Sequence, residues 1–219
     1  MITERDKVLL AKKGISEDKL NTQLACFAKG FPYLRLAAAA STEKGILAPS
    51  HEEVDKYLEA WEAYTNNTAH RIVKFVPASG AASRMFKNMF AFVDADYTTP
   101  TTDFEKSFFN NIHEAAFYGD LDSACQRIYG KNIDELLSAN QYKEVVKAML
   151  DKEGLNYGAL PKGLLKFHKY ANGSRTPLEE HLVEGALYAR EKDGTVNIHF
   201  TVSTEHRALF EALVNKVVP

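Results

Sequence analysis

The 219-residue chain carries 27 lysines and arginines against 29 aspartates and glutamates, a formal net charge of −2 at pH 7. That balance gives no global attraction for nucleic acid or an anionic membrane, so any anion site must be local. With 45% hydrophobic and 26% charged residues the composition is that of a soluble globular protein, long enough for one large domain or for one domain with an insertion.

The N-terminus, Met1-Ile2-Thr3-Glu4-Arg5-Asp6-Lys7, lacks the apolar core and cleavage site of a signal peptide. No apolar run approaches bilayer length, and a cytoplasmic protein is expected. Cys26 and Cys125 match no paired metal spacing and read as free, buried thiols in a reducing compartment.

In chain order, residues 1–70 read as a helical segment. Leu20, Leu24 and Phe27 recur on one face after Ser16, a candidate cap. From Ser50, the residues Val54, Tyr57, Leu58, Trp61 and Tyr64 keep helical spacing behind an acidic first turn. The pattern changes at Arg71. Ile72-Val73-Lys74-Phe75-Val76 is a short β-branched run that predicts a strand buried on both faces. It breaks at Pro77 into Ala78-Ser79-Gly80-Ala81-Ala82-Ser83, after which helical spacing resumes at once through Met85, Phe86, Met89, Phe90 and Val93.

Residues 98–155 carry three helical stripes: Phe104 to Ala115, Ile133 to Leu137 and Tyr142 to Met149. They read as an inserted helical lobe, with self-association through it as one possible role. Leu164-Leu165-Lys166-Phe167 is a second strand candidate. Thr176-Pro177-Leu178-Glu179 opens a helix, with Thr176 as cap, Pro177 first and Glu179 third. Val196 to Val202 alternates as a strand, and Glu205 to Val217 closes the chain as a helix.

Strand, small-residue loop and helix in succession suit a phosphate site. Small side chains let phosphates approach backbone amides, and a helix N-terminus adds unsatisfied N–H groups. Arg84, in the first helical turn, can reach the same phosphates with its planar fork. The bland alternative is that small residues merely let the helix pack near the strand. Asp94-Ala95-Asp96 follows a helix and reads as a solvated helix end, not a metal site. The seven histidines are scattered and default to core or surface roles. Ser79, Ser83 and Ser203 lack a nucleophile-elbow motif. Lys166 and Lys169 are either a basic rim near Lys162 or solvated loop lysines.

The stretch Pro77-Ala78-Ser79-Gly80-Ala81-Ala82-Ser83-Arg84-Met85 resembles the Leu-Ala-Ala-Gly-x-Gly-Thr-Arg-Met signature of sugar-phosphate nucleotidyltransferases. Pro161-Lys162-Gly163-Leu164-Leu165-Lys166-Phe167 is similar to that family's Pro-Lys-x-Leu-Leu-Pro-Val segment, and Thr176 to Leu182 to its Lys-Pro-Leu-Ile-Glu-His-Val helix start. Ile198 to His206 falls where the family has its next strand and loop. Ala82 departs from the pattern by replacing the second glycine.

The resemblance implies a mainly parallel, Rossmann-like sheet of the nucleotide-diphospho-sugar transferase type, formed by residues 71–97 and 156–219. It implies a nucleoside triphosphate over Ala78, Ser79, Gly80, Ala81, Ala82 and Ser83, with a sugar phosphate attacking its α-phosphorus. Arg84 and Lys162 would clamp the phosphates, and Mg²⁺ would bridge phosphate oxygens, although the family's metal aspartates are not visible in this chain. The combination also resembles a group of bacterial proteins known only as a domain of unknown function, of which this would be the N-terminal part. A non-catalytic nucleotide or sugar-nucleotide module is the alternative implied by the missing carboxylates.

Overall fold

The computed structural model describes residues 2–218. The chain divides into two compact units, Met1–Lys56 and Tyr57–Pro219.

In the first unit, α1 (Glu4–Lys12) starts at Thr3, whose hydroxyl accepts from the Asp6 N–H while the Asp6 carboxylate accepts from the Thr3 N–H. This reciprocal pair satisfies two N–H groups that a helix start otherwise leaves open. Ser16 caps α2 (Glu17–Lys29) as its sequence predicts, and Gly30 ends it at a φ of 79°. Cys26 on α2 is only half-buried, which corrects the expectation of two buried thiols; it lies on a helix with no buried residue. The helix α3 (His51–Thr65) is capped by Ser50 and Glu53. Its apolar stripe stays exposed, and there Trp61 stacks on Tyr64 and Tyr64 on His70.

The second unit continues with β1 (Val73–Pro77) and α4 (Lys87–Asp94). Four helices follow: α5 (Asp103–Asn110), α6 (Tyr118–Tyr129), α7 (Ile133–Ser138) and α8 (Tyr142–Leu150). Then come β2 (His168–Tyr170), β3 (Gly173–Arg175), α9 (Pro177–Tyr188), β4 (Asn197–Thr201) and α10 (Arg207–Val217). No helix is long and apolar enough to cross a membrane among the described residues.

The largest core is helical. Phe86, Met89 and Phe92 at α4 pack with Leu121 and Cys125 of α6, Ile133 and Leu136 of α7, and Val145, Val146 and Met149 of α8. Each such side chain, fully removed from water, contributes roughly 1.5–3 kcal/mol before chain entropy is counted. Capping boxes at Thr102/Glu105 and Asn132/Glu135 start α5 and α7, and Gly130 in the left-handed region closes α6.

β1 and β4 pair in parallel, Val73 opposite Asn197 through Pro77 opposite Thr201. α9 crosses this sheet so closely that a Cβ at Gly185 would lie 2.6 Å from Ile198 Cδ1. Strand alternation turns Ile72, Lys74 and Val76 to one side and Val73 and Phe75 to the other. Val73 and Phe75 are 55% and 62% exposed, with Phe75 stacked on His199. The run is therefore buried on one face and not on both. Around it the architecture is mixed helix and sheet: the parallel sheet has two strands, and β2 with β3 forms a separate antiparallel hairpin.

Two further expectations are corrected. Leu164 to Phe167 is not a strand: Lys162–Leu164 is a 3-10 turn, and Leu165 drops into the helical core. The apolar residues there serve burial, while the extended pairing begins only at His168. Helix α4 does not begin at Met85 but at Lys87, because Ala81 is held extended against Pro161 and Ala82 to Phe86 form turns.

Candidate functional site: the end of the parallel sheet

Ligands of open parallel sheets bind beyond the carboxyl ends of the strands. Here the Ala78 N–H extends the ladder by donating to the Thr201 carbonyl at 2.9 Å, and the chain then turns away. The Gly80 carbonyl accepts from the Lys162 N–H at 3.0 Å, and Ala81 bridges Pro161. Two segments far apart in sequence are thus tied by their backbones into one wall. Gly163 lies close to the Phe210 ring: a Cβ there would stand 3.0 Å from Cζ, so a larger residue would require the ring to give way.

The wall encloses a cavity of about 160 Å³, lined among others by Ala78, Gly80, Lys162, Gly163, His181 and Phe200. A Cβ on Gly80 would meet nothing within 4 Å, so the space above the loop is open. Pro177 and Leu178, the first residues of α9, also line the cavity. The first turn of α9 therefore borders the cavity, whereas α4 contributes nothing to its lining. α4 starts well past the loop and has no side-chain cap.

Of the residues singled out in the sequence, Ala78, Gly80 and Lys162 come together on the cavity, and Ala81 holds its wall. Ala82 is 1% exposed and belongs to the helical core. Its φ is not positive, so alanine at this position packs the core and does not strain a glycine turn. Ser79, Ser83 and Arg84 are exposed and do not line the cavity. Lys166 and Lys169 do not form a basic rim: they pair with Asp120 at 2.5 Å and Glu114 at 3.4 Å, both from the helical region.

Ser203 does have a partner: its hydroxyl lies 2.7 Å from His206 Nδ1. The two are three residues apart in the turn after β4, and no carboxylate orients His206 among the described residues. The pair is a local turn contact.

One cluster escaped the sequence reading. His181 Nδ1 is 2.9 Å from Glu184 Oε2, and the same oxygen accepts from Lys74 Nζ at 2.7 Å and from the Tyr188 hydroxyl at 3.1 Å. The hydrogen bond from Lys74, then that from His181, pushes the Glu184 carboxyl down to about 2. Burial opposes the charge on Lys74, but its bonds to Glu184 and Tyr188 outweigh burial and raise its pKa. The signals available were a lysine inside an apolar strand and a His–Glu pair at helical i, i+3 spacing.

Magnesium, implied by the nucleotidyltransferase resemblance, does not fit this wall as a protein-held ion. The cavity lining contains no Asp or Glu, and no group of three or more His, Cys, Asp or Glu side chains converges among the described residues.

No curated protein and no solved structure matches the chain. A family model described as a domain of unknown function, DUF4301, matches residues 3–219. The chain, with its two-segment wall closing the end of a parallel strand pair, belongs to the DUF4301 family.

Proposed function

We propose that this chain binds a nucleoside triphosphate through its phosphates at the end of β1, as a nucleotidyltransferase-like domain of Rossmann-like ancestry acting on a sugar phosphate. The observation that carries the reading is the backbone tie between Gly80 and Lys162, which joins the two segments that resemble the family's phosphate-binding motifs. A cavity of about 160 Å³ is smaller than the roughly 300–1,000 Å³ of a whole-ligand pocket, so it suits a phosphoryl group with the nucleoside outside. Lys162 supplies charge, and the N-terminus of α9 supplies a favourable dipole. Arg84, exposed beyond the loop, would reach the outer phosphates. Magnesium would arrive on the triphosphate and not on protein carboxylates. In such reactions positioning and electrostatic stabilisation supply most of the catalysis.

A second reading, a non-catalytic nucleotide-binding module, is favoured by the carboxylate-free lining of the cavity. Calorimetric titration with several nucleoside triphosphates and Mg²⁺ tests what the two readings share. Micromolar binding that weakens at least tenfold in Lys162→Ala, and less in Arg84→Ala, is expected. Equal affinity of wild type and Lys162→Ala would overturn both. Release of pyrophosphate with a sugar phosphate present would exclude the second reading alone.

A further inference from the structure

The Glu184 carboxylate fixes what His181 can offer the cavity. Glu184 is ionised at neutral pH, and its Oε2 can only accept. His181 Nδ1, at 2.9 Å, must therefore carry the proton of that hydrogen bond. Nε2 is the nitrogen that remains, and His181 lines the same cavity as Lys162 and Gly80. In the neutral ring Nε2 bears a lone pair; in the imidazolium it is a donor.

We infer that His181 is a phosphoryl contact of this cavity, and that Nε2 takes up a proton from solvent when a phosphoryl anion enters. The inference rests on the phosphate-binding reading above and deepens it. A lone pair facing a phosphoryl oxygen is repulsive, whereas a protonated Nε2 donates a charge-assisted hydrogen bond to it. Glu184, on the same helix, holds Nδ1, and Lys162 lines the same cavity. Lys74 and Tyr188 hold Glu184 in place from the other side, and are positioning residues that need not touch the ligand. The elements that complete the wall, at Phe200 and Phe210, present aromatic side chains and no competing charge.

Inorganic pyrophosphate is the probe, titrated calorimetrically into the full chain in two buffers of different ionisation enthalpy at one pH. Wild type should take up more protons per ligand than His181→Gln, and the difference should vanish in Glu184→Gln. His181→Gln should bind pyrophosphate about three- to tenfold more weakly than wild type. Equal proton uptake and equal affinity in wild type and His181→Gln, with Lys162→Ala still impaired, would overturn this inference and leave the phosphate site standing. Failure of wild type to bind pyrophosphate at all would remove the site itself, and His181's role with it. Should His181→Gln not fold, the ring ¹⁵N signals of wild-type His181 decide. Protonation of Nε2 on saturation with pyrophosphate upholds the role, and an unchanged ring refutes it.

Discussion

Lys74 in β1 places its ammonium 2.7 Å from the carboxylate of Glu184 in α9, across the contact between the sheet and its covering helix. Lys74 is 13% exposed at the side chain and Glu184 39%. The pair is therefore partly shielded from water and stronger than a fully solvated ion pair, yet screened on the Glu184 side.

The stabilisation from Glu184 follows pH in one direction. Its folded pKa, about 2, lies below the ordinary 4.5, so its contribution is complete above pH 4.5 and is lost as pH falls towards 2. Discounted for exposure, it amounts to about 1 kcal/mol. Urea denaturation should find Glu184→Gln less stable than wild type at pH 7, with the gap narrowed at pH 3 and closing only towards pH 2. Lys74 adds no change in this range, because its raised pKa matters only above its usual 10.5. A gap of the same size at both pH values would show that the pair's charge is not the stabilising element.

Ala82 offers a test of the loop's geometry. Where the resembled signature has glycine, this chain buries a methyl group in the helical core. Ala82→Gly should cost about 1–2 kcal/mol, from the lost burial and the added freedom of the unfolded chain. It should not strengthen nucleotide or pyrophosphate binding. A gain in affinity would mean that the loop needs a positive φ at this position after all.

Glu105 is a buried carboxylate at the start of α5, 3% exposed. Burial works against its charge, but the N–H groups of Thr101 and Thr102 and the Tyr97 hydroxyl outweigh it and lower its pKa. Glu105→Ala leaves those donors without their partner and should destabilise the protein by about 2–3 kcal/mol in thermal or urea unfolding. A loss below half a kcal/mol would show that water replaces the carboxylate.

The two cysteines should differ sharply towards thiol reagents. Cys125 is fully buried, and burial pushes its thiol up to about 11, so almost no thiolate forms at neutral pH. Cys26 is half-buried on α2. Iodoacetamide on the native protein, followed by mass analysis of peptides, should modify Cys26 well before Cys125. Equal rates would show that the helical core opens readily.

The features legible in the sequence were those governed by neighbours along the chain. Thr176 with Glu179, and Ser16 before its helix, cap as their spacing indicates. The strands at Val73 and Asn197 also appear where β-branched and alternating patterns place them. Features set by distant partners were not. Leu165 is apolar for a helical core contributed by residues far away, and a short apolar run cannot tell that from a strand. Phe75 reads as core, yet lies on the open face of the sheet. At the site, Lys162 was found through its motif, whereas His181 becomes meaningful only once Glu184, Lys74 and the cavity are seen together.

The pairing of β1 with β4 has a kinetic consequence. The contacts among α5, α6, α7 and α8 are local, joined by short turns, while the strands that pair across the sheet flank that whole helical stretch in sequence. Local contacts form quickly, and closing a long intervening loop lowers chain entropy before the ladder repays it. This topology predicts that the helical core assembles first and that the sheet closes on it afterwards. The cavity at Gly80 and Lys162 draws its walls from both β1 and β4, so the same topology predicts that it matures late in folding, an order that pulse-labelled hydrogen exchange during refolding would check.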